Sequence, residues 1–207
     1  MENRTRRAAL TKGQERLAEV LAAAERLLRD SGPEGFTLRA VADEVGISLG
    51  NLQYYFPTRA ELLDAVFQRY VQTFRDDIFR ILPRHDDPRE RLLAIVDYWL
   101  GTEHDPEQSL FWHLWAISAH DDSARATMES VYGPFLVRLA DMLREIHPRL
   151  SKPLALRRAA AITAVIEGSG IFVGFGRSPV PALRTLQREI REVVLMIVDR
   201  QPGRDPR

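Results

Sequence analysis

The sequence predicts an all-α protein, on three observations. Apolar residues recur at three- and four-residue steps through almost the whole chain. Proline and glycine punctuate these stripes where helices begin and end. No segment alternates apolar and polar residues as a half-buried strand would. About nine helices account for the 207 residues, a length that allows a substantial core.

The first helix carries Leu17, Val20, Leu21, Ala24, Leu27 and Leu28 on one stripe and stops at Asp30-Ser31-Gly32-Pro33. Thr37 to Phe56 reads as helix, glycine turn, helix. Leu38, Val41, Ala42 and Val45 form a core stripe, Gly46 permits a left-handed turn, Ile47 packs beneath it and Ser48 caps the next helix. A long fourth helix follows through Leu62, Leu63, Val66, Phe67, Tyr70, Phe74 and Ile78, opened by a capping box of Thr58 and Glu61 after Pro57. Asp87-Pro88-Arg89-Glu90 and Asp105-Pro106-Glu107-Gln108 repeat that starting chemistry for a fifth and a sixth helix. A seventh runs from about Ser123 to about Ile146, with Gly133-Pro134 expected to break or kink it. Two more span roughly Lys152–Phe175 and Pro181–Asp199, and residues 201–207 read as a disordered polar tail.

Composition excludes several chemistries. There is no cysteine, so no disulfide, thiolate metal site or cysteine nucleophile. The five histidines are scattered without ligand spacing, and neither metal nor cofactor is expected. No apolar run approaches the ~18 residues of a membrane span, and the start of the chain has no signal-peptide core. A cytoplasmic protein is the expectation. Net charge is formally zero, yet from Arg4 to Arg16 the basic residues Arg4, Arg6, Arg7, Lys12 and Arg16 face only Glu15. Such an arm is a solvated tail or, beside a DNA reader, a phosphate contact.

The segment Ile47–Leu62, ISLGNLQYYFPTRAEL, divides by face. At ~100° per residue, Leu49, Leu52 and Phe56 fall on one side and Gly50, Gln53 and Tyr54 on the other. Glycine allows close approach, glutamine can pair with an adenine edge, and tyrosine reaches phosphate or base. By periodicity alone the element is either a major-groove reader or a small helical hairpin with polar decoration.

The stretch TLRAVADEVGISLGNLQYYFPTRAELL (residues 37–63) resembles the helix-turn-helix signature of the TetR family of bacterial transcriptional regulators. The matching features are the threonine opening the second helix, the alanine and glycine before the turn, the Ser-x-Gly entry to the third, the Tyr-Phe pair ending it and a basic residue opening the fourth. The resemblance implies that Thr37 and Arg39 touch the DNA backbone, that Leu49, Gly50, Asn51, Gln53 and Tyr54 face the groove beside the cap Ser48, that Tyr55 meets a phosphate or the domain core, and that Arg59 meets a phosphate. Arg59 also opens a helix, where free N–H groups favour an anion. Leu49 and Gln53 depart from residues common at those places in the family, so the base sequence read is this chain's own.

The resemblance further implies residues 1–57 as the DNA-binding domain and residues 58–200 as an effector-binding and dimerisation domain. The sixth helix, SLFWHLWAISAH, is apolar nearly all round. Its residues are plain core, or else Trp112, His113 and Trp115, with Trp99, Met128, Tyr132 and Phe135, line an apolar effector cavity. Glu167 is the candidate charged anchor or a surface carboxylate; a cationic and a hydrophobic ligand both fit. The eighth helix (Ala159, Ala160, Ala161, Ala164, Gly168, Gly170) and the ninth (Leu186, Ile190, Val193, Val194, Ile197) either build a dimer bundle or pack within one chain.

The expected function is ligand-responsive transcriptional repression: a homodimer on a palindromic operator, released by a small-molecule effector. A helical enzyme would need a nucleophile, metal set or convergent carboxylates that the sequence does not offer. A helical interaction module without DNA binding would leave the polar face of the third helix unexplained.

Overall fold

The structure, a computed structural model, describes residues 12–81, 85–102, 109–173 and 180–201. Among the described residues are nine α-helices and no strand: α1 (Lys12–Gly35), α2 (Leu38–Val45), α3 (Leu49–Tyr55), α4 (Arg59–Ile81), α5 (Pro88–Thr102), α6 (Ser109–Ser118), α7 (Asp122–Ile146), α8 (Lys152–Val173) and α9 (Leu186–Asp199). The expectations for the arm at Arg4, Arg6 and Arg7, the helix start at Asp105-Pro106-Glu107-Gln108, the end of the eighth helix at Phe175 and the tail after Gln201 lie outside the described residues. The chain divides into two compact units, Met1–Phe67 and Gln68–Arg207, and the boundary falls within α4.

In the first unit, Val20, Ala24 and Leu28 of α1 are fully buried, as the stripe predicts. The stop signal acts at Gly32, whose left-handed backbone (φ 65°) interrupts α1 before a last turn ending at Gly35. Only glycine takes such a conformation cheaply. Thr37 then caps α2, its Oγ1 accepting from Ala40 N at 3.1 Å. Gly46 ends α2 at φ 72°, and Ile47 N donates back to Ala42 O at 3.0 Å. Ser48 caps α3 by accepting from Asn51 N at 3.2 Å. Thr58 caps α4, and the predicted Thr58–Glu61 pair meets: Glu61 N donates to Thr58 Oγ1, and the Thr58 hydroxyl donates to Glu61 Oε1, both at 3.2 Å.

The second unit has a core drawn from four helices, with Leu92, Val96 and Trp99 of α5, Leu139 and Leu143 of α7, Ala155, Ala159, Ile162 and Ile166 of α8, and Val194 and Val198 of α9. The start of α5 is as predicted, with Glu90 N donating to Asp87 Oδ2 at 2.9 Å. Of the break or kink expected at Gly133-Pro134, the break does not occur: α7 is helical from Asp122 to Ile146. Both residues face solvent, where water can take the carbonyl that proline leaves without a donor. One sequence expectation is corrected: Val194 is not available as a dimer contact, because it is fully buried inside its own subunit. Ile190 and Ile197 pack against the same core. The register of α9 is fixed on α5 by Gln187 Nε2 donating to Leu100 O (2.7 Å), Arg191 to Asp97 (2.6 Å) and Arg89 to Asp199 (2.6 Å). These exposed ion pairs add little stability, but they orient the helix.

Candidate nucleic-acid interface and effector cluster

The face of α3 divides as the helical wheel requires. Leu52 is fully buried and Phe56 nearly so, which seats the helix on the first unit's core. Gly50, Asn51, Gln53 and Tyr54 are exposed, as are Thr37, Arg39 and Ser48 at the starts of α2 and α3. Tyr54 is 84% exposed. Its ring meets Tyr55 edge-on at 5.4 Å, and Tyr55 is half-buried beneath it. Leu49 is half-buried at the margin of the two faces. A Cβ added to Gly50 would meet nothing within 4 Å, and its φ is not left-handed. Nothing inside the chain therefore requires glycine there, although it weakens the helix by ~0.5–1 kcal/mol relative to alanine.

Arg59 is engaged within the first unit. Its Nε donates to Phe36 O at 2.8 Å and its Nη2 to Pro33 O at 2.9 Å, while the guanidinium lies 5.5 Å from the centre of the Phe36 ring. The last turn of α1 presents those carbonyls beside α4, and a planar fork satisfies both together. Arg59 thus pins the connector that delivers Thr37, and with it α2 and α3. Pro33 was legible only as part of a helix stop, and the role of Phe36 and Pro33 as acceptors was not legible at all, because backbone acceptors leave no residue-type signal.

In the second unit, α6, α7 and α8 bring four of the predicted cluster residues together. Trp115 Nε1 donates to Tyr132 Oη at 3.1 Å, and the Tyr132 hydroxyl donates to Glu167 Oε1 at 2.8 Å. Burial, reinforced by the Glu167 charge and hydrogen bond, pushes the Tyr132 phenol far up against a smaller opposing effect of Trp115, so it stays protonated and donating. The Trp112 and Trp115 rings lie 5.2 Å apart at 60°. Met128 joins through Ser118, whose hydroxyl lies 2.9 Å from Trp115 O and 3.5 Å from Met128 Sδ. His113 is half-buried on α6. Trp99 and Phe135 stack edge-on at 5.2 Å as part of the four-helix core.

Gly170, expected only as one of the small residues that let the eighth helix pack closely, also adjoins this cluster: a Cβ there would stand 2.9 Å from Trp112 Cζ2. A glycine one turn after Glu167 in an alanine-rich helix was the available signal. Among the described residues, no group of acidic and histidine side chains could hold a metal, and no helix is long and apolar enough to cross a membrane.

A helix-turn-helix whose second helix offers an exposed polar face, joined to a larger helical unit, defines a DNA-binding transcriptional regulator. The comparisons agree. The family profile described as bacterial regulatory proteins, tetR family, matches residues 20–66. An HTH-type transcriptional regulator in the dhlA 5' region of Xanthobacter autotrophicus is 31% identical over 153 residues, covering 71% of this chain and 72% of that protein. Another, in the lacX 3' region of Lactococcus lactis, is 26% identical over 157 residues, covering 73% of this chain and 79% of that one. A crystal structure of a transcriptional regulator from Saccharomonospora viridis in complex with choline shares the fold, with a TM-score of 0.74, 23% identity, and coverage of 89% of this chain and 97% of that one. The chain belongs to the TetR family of bacterial transcriptional regulators. Members of this family are DNA-binding regulators and not enzymes, and they typically act as dimers with small-molecule ligands.

Proposed function

We propose that this protein is a ligand-responsive repressor that binds a palindromic operator as a homodimer in the cytoplasm and is released by a small-molecule effector. The observation that carries the DNA-reading half is the outward face of α3: Gly50, with open space where a side chain would stand, beside exposed Asn51, Gln53 and Tyr54. In this reading residues 1–57 read DNA. Gln53 pairs with a base edge, Asn51 and Tyr54 flank it, and Leu49 touches the groove margin. Thr37, Arg39, Ser48 and Tyr55 contact the backbone, and Arg59 holds the reader in place.

Residues 58–200 bind effector and dimerise. The dimer surface is the outward stripe of α8, where Ala160, Ala161 and Ala164 lead to Ile171 (67% exposed) and Phe172, together with Met196 (66% exposed) on α9. Small residues permit close helix approach, and apolar side chains this exposed mark an interaction surface. The effector seat is the cluster of Trp112, Trp115, Tyr132 and Glu167, with His113 and Met128 at its edge. That a neighbour of the same fold was solved with choline supports a small-molecule seat in this architecture.

The test is fluorescence anisotropy on the DNA upstream of the protein's own gene, with every half-site position varied in turn. Gln53→Ala should lose about 1 to 3 kcal/mol of discrimination at one base pair per half-site while keeping non-specific affinity. An unchanged base preference would remove Gln53 from the readout, and no binding to any specific site would remove the function.

A further inference from the structure

Resting on the reading of α3 as the DNA reader, we propose that the base pairs it reads are A·T, with Gln53 pairing with an adenine and Leu49 packing on a thymine methyl. The chemistry of the helix disfavours the other pair. α3 is LGNLQYY and carries no arginine, lysine, aspartate or glutamate. In the major groove guanine shows two acceptors, N7 and O6, which a cationic side chain reads, and cytosine shows an amino donor, which a carboxylate reads. Between Thr37 and Ala60 the basic residues are Arg39 and Arg59. Arg39 belongs to α2 and not to the reading helix, and Arg59 is committed to Phe36 O and Pro33 O.

The side chains that do stand on the face have the chemistry of the A·T pair. Asn51 and Gln53 are exposed, and among the described residues no hydrogen bond engages either carboxamide. A carboxamide holds one acceptor and one donor side by side. Adenine offers the complement, N7 to accept and the N6 amino group to donate, whereas against guanine the amide oxygen would face O6 with no proton between them. Gly50 lies one turn before Gln53, and a Cβ there would meet nothing within 4 Å, so the groove floor can come up to the helix beside the Gln53 arm. Asn51 is ~160° around the helix from Gln53, so the two do not share the floor and Asn51 is left at the groove wall. Leu49 also precedes Gln53 by one turn and is half-buried, which leaves part of its side chain open to an apolar contact. Every adenine brings a thymine whose C5-methyl projects into the same groove.

The full-length protein and its Gln53→Ala variant are each used to select from a library of randomised duplexes. The position at which the variant loses its preference should be an A·T pair. Within the selected site, 7-deazaadenine at that position replaces the N7 acceptor with C–H; it should weaken the native protein roughly three- to tenfold and leave Gln53→Ala unaffected. Deoxyuridine in place of thymine removes only the methyl; it should cost about fourfold at one position, and that loss should vanish in Leu49→Ala. Gln53→Arg should move the preferred base from adenine to guanine. A G·C pair at the Gln53-dependent position, or indifference to 7-deazaadenine there, would overturn the adenine contact and leave DNA reading by α3 standing. Uracil tolerated at every position would overturn the thymine contact. An A·T preference that survives in Gln53→Ala would assign it to duplex shape and overturn the contact as well. No enriched sequence would overturn this assignment together with the function on which it rests.

Discussion

Replacing Arg59 with alanine separates two roles that the side chain could play at the start of α4. In the structure the change deletes two charge-assisted hydrogen bonds, of 2.8 and 2.9 Å to Phe36 O and Pro33 O, and a stacking contact with the Phe36 ring. Hydrogen bonds to charged groups contribute about 1.5 to 3 kcal/mol each when well sheltered. Arg59 is half-buried, so water replaces part of what is lost, and about 2 to 4 kcal/mol in all is expected.

That loss should appear locally, as faster amide hydrogen exchange in α2 and α3, by roughly thirtyfold or more where opening of the reading unit limits exchange. Arg59→Lys keeps the charge but cannot span both carbonyls, so about half of the protection should return. The log–log salt dependence of operator binding should keep its slope in both variants. A phosphate ligand predicts the reverse: unchanged exchange, a slope reduced by about 0.9 per subunit in Arg59→Ala, and full recovery in Arg59→Lys. That second pattern would refute the positioning role.

Two further perturbations follow from the burial pattern. Gly50→Ala should leave the free protein folded, and stabilise it by up to ~0.5–1 kcal/mol in thermal unfolding, while weakening operator binding; undiminished affinity would show that α3 does not approach a groove closely there. Val194→Asp places a charge in a fully buried site and should unfold the second unit, at a cost of about 4 kcal/mol or more. Met196→Asp, on the exposed side of the same helix, should instead give folded monomers by light scattering. A Met196→Asp dimer of unchanged size would move the interface away from this face of α9.

Much of the fold was legible because its signals are local. Caps and breakers act within one turn, so Thr37, Ser48, Thr58, Asp87, Gly32 and Gly46 marked helix ends from the sequence alone, and all six do so in the structure. The two faces of α3 were legible for the same reason, since a single helical period sorts Leu52 and Phe56 from Gly50, Gln53 and Tyr54. The aromatic and acidic residues of the second unit could be named, but not their partners.

What the sequence by itself determined is therefore the set of helices, the reading face and the family signature, all of which depend on residues a few positions apart. The tertiary structure alone decided that Arg59 turns to backbone carbonyls, that Val194 faces inward while Met196 faces out, and that Trp115, Tyr132 and Glu167 form one relay. These depend on distances between residues 17 to 35 positions apart, and on which side of an apolar helix meets its neighbours. Helical periodicity gives an element's faces but not the rotation at which it docks, because that rotation is set by the packing of side chains from other elements.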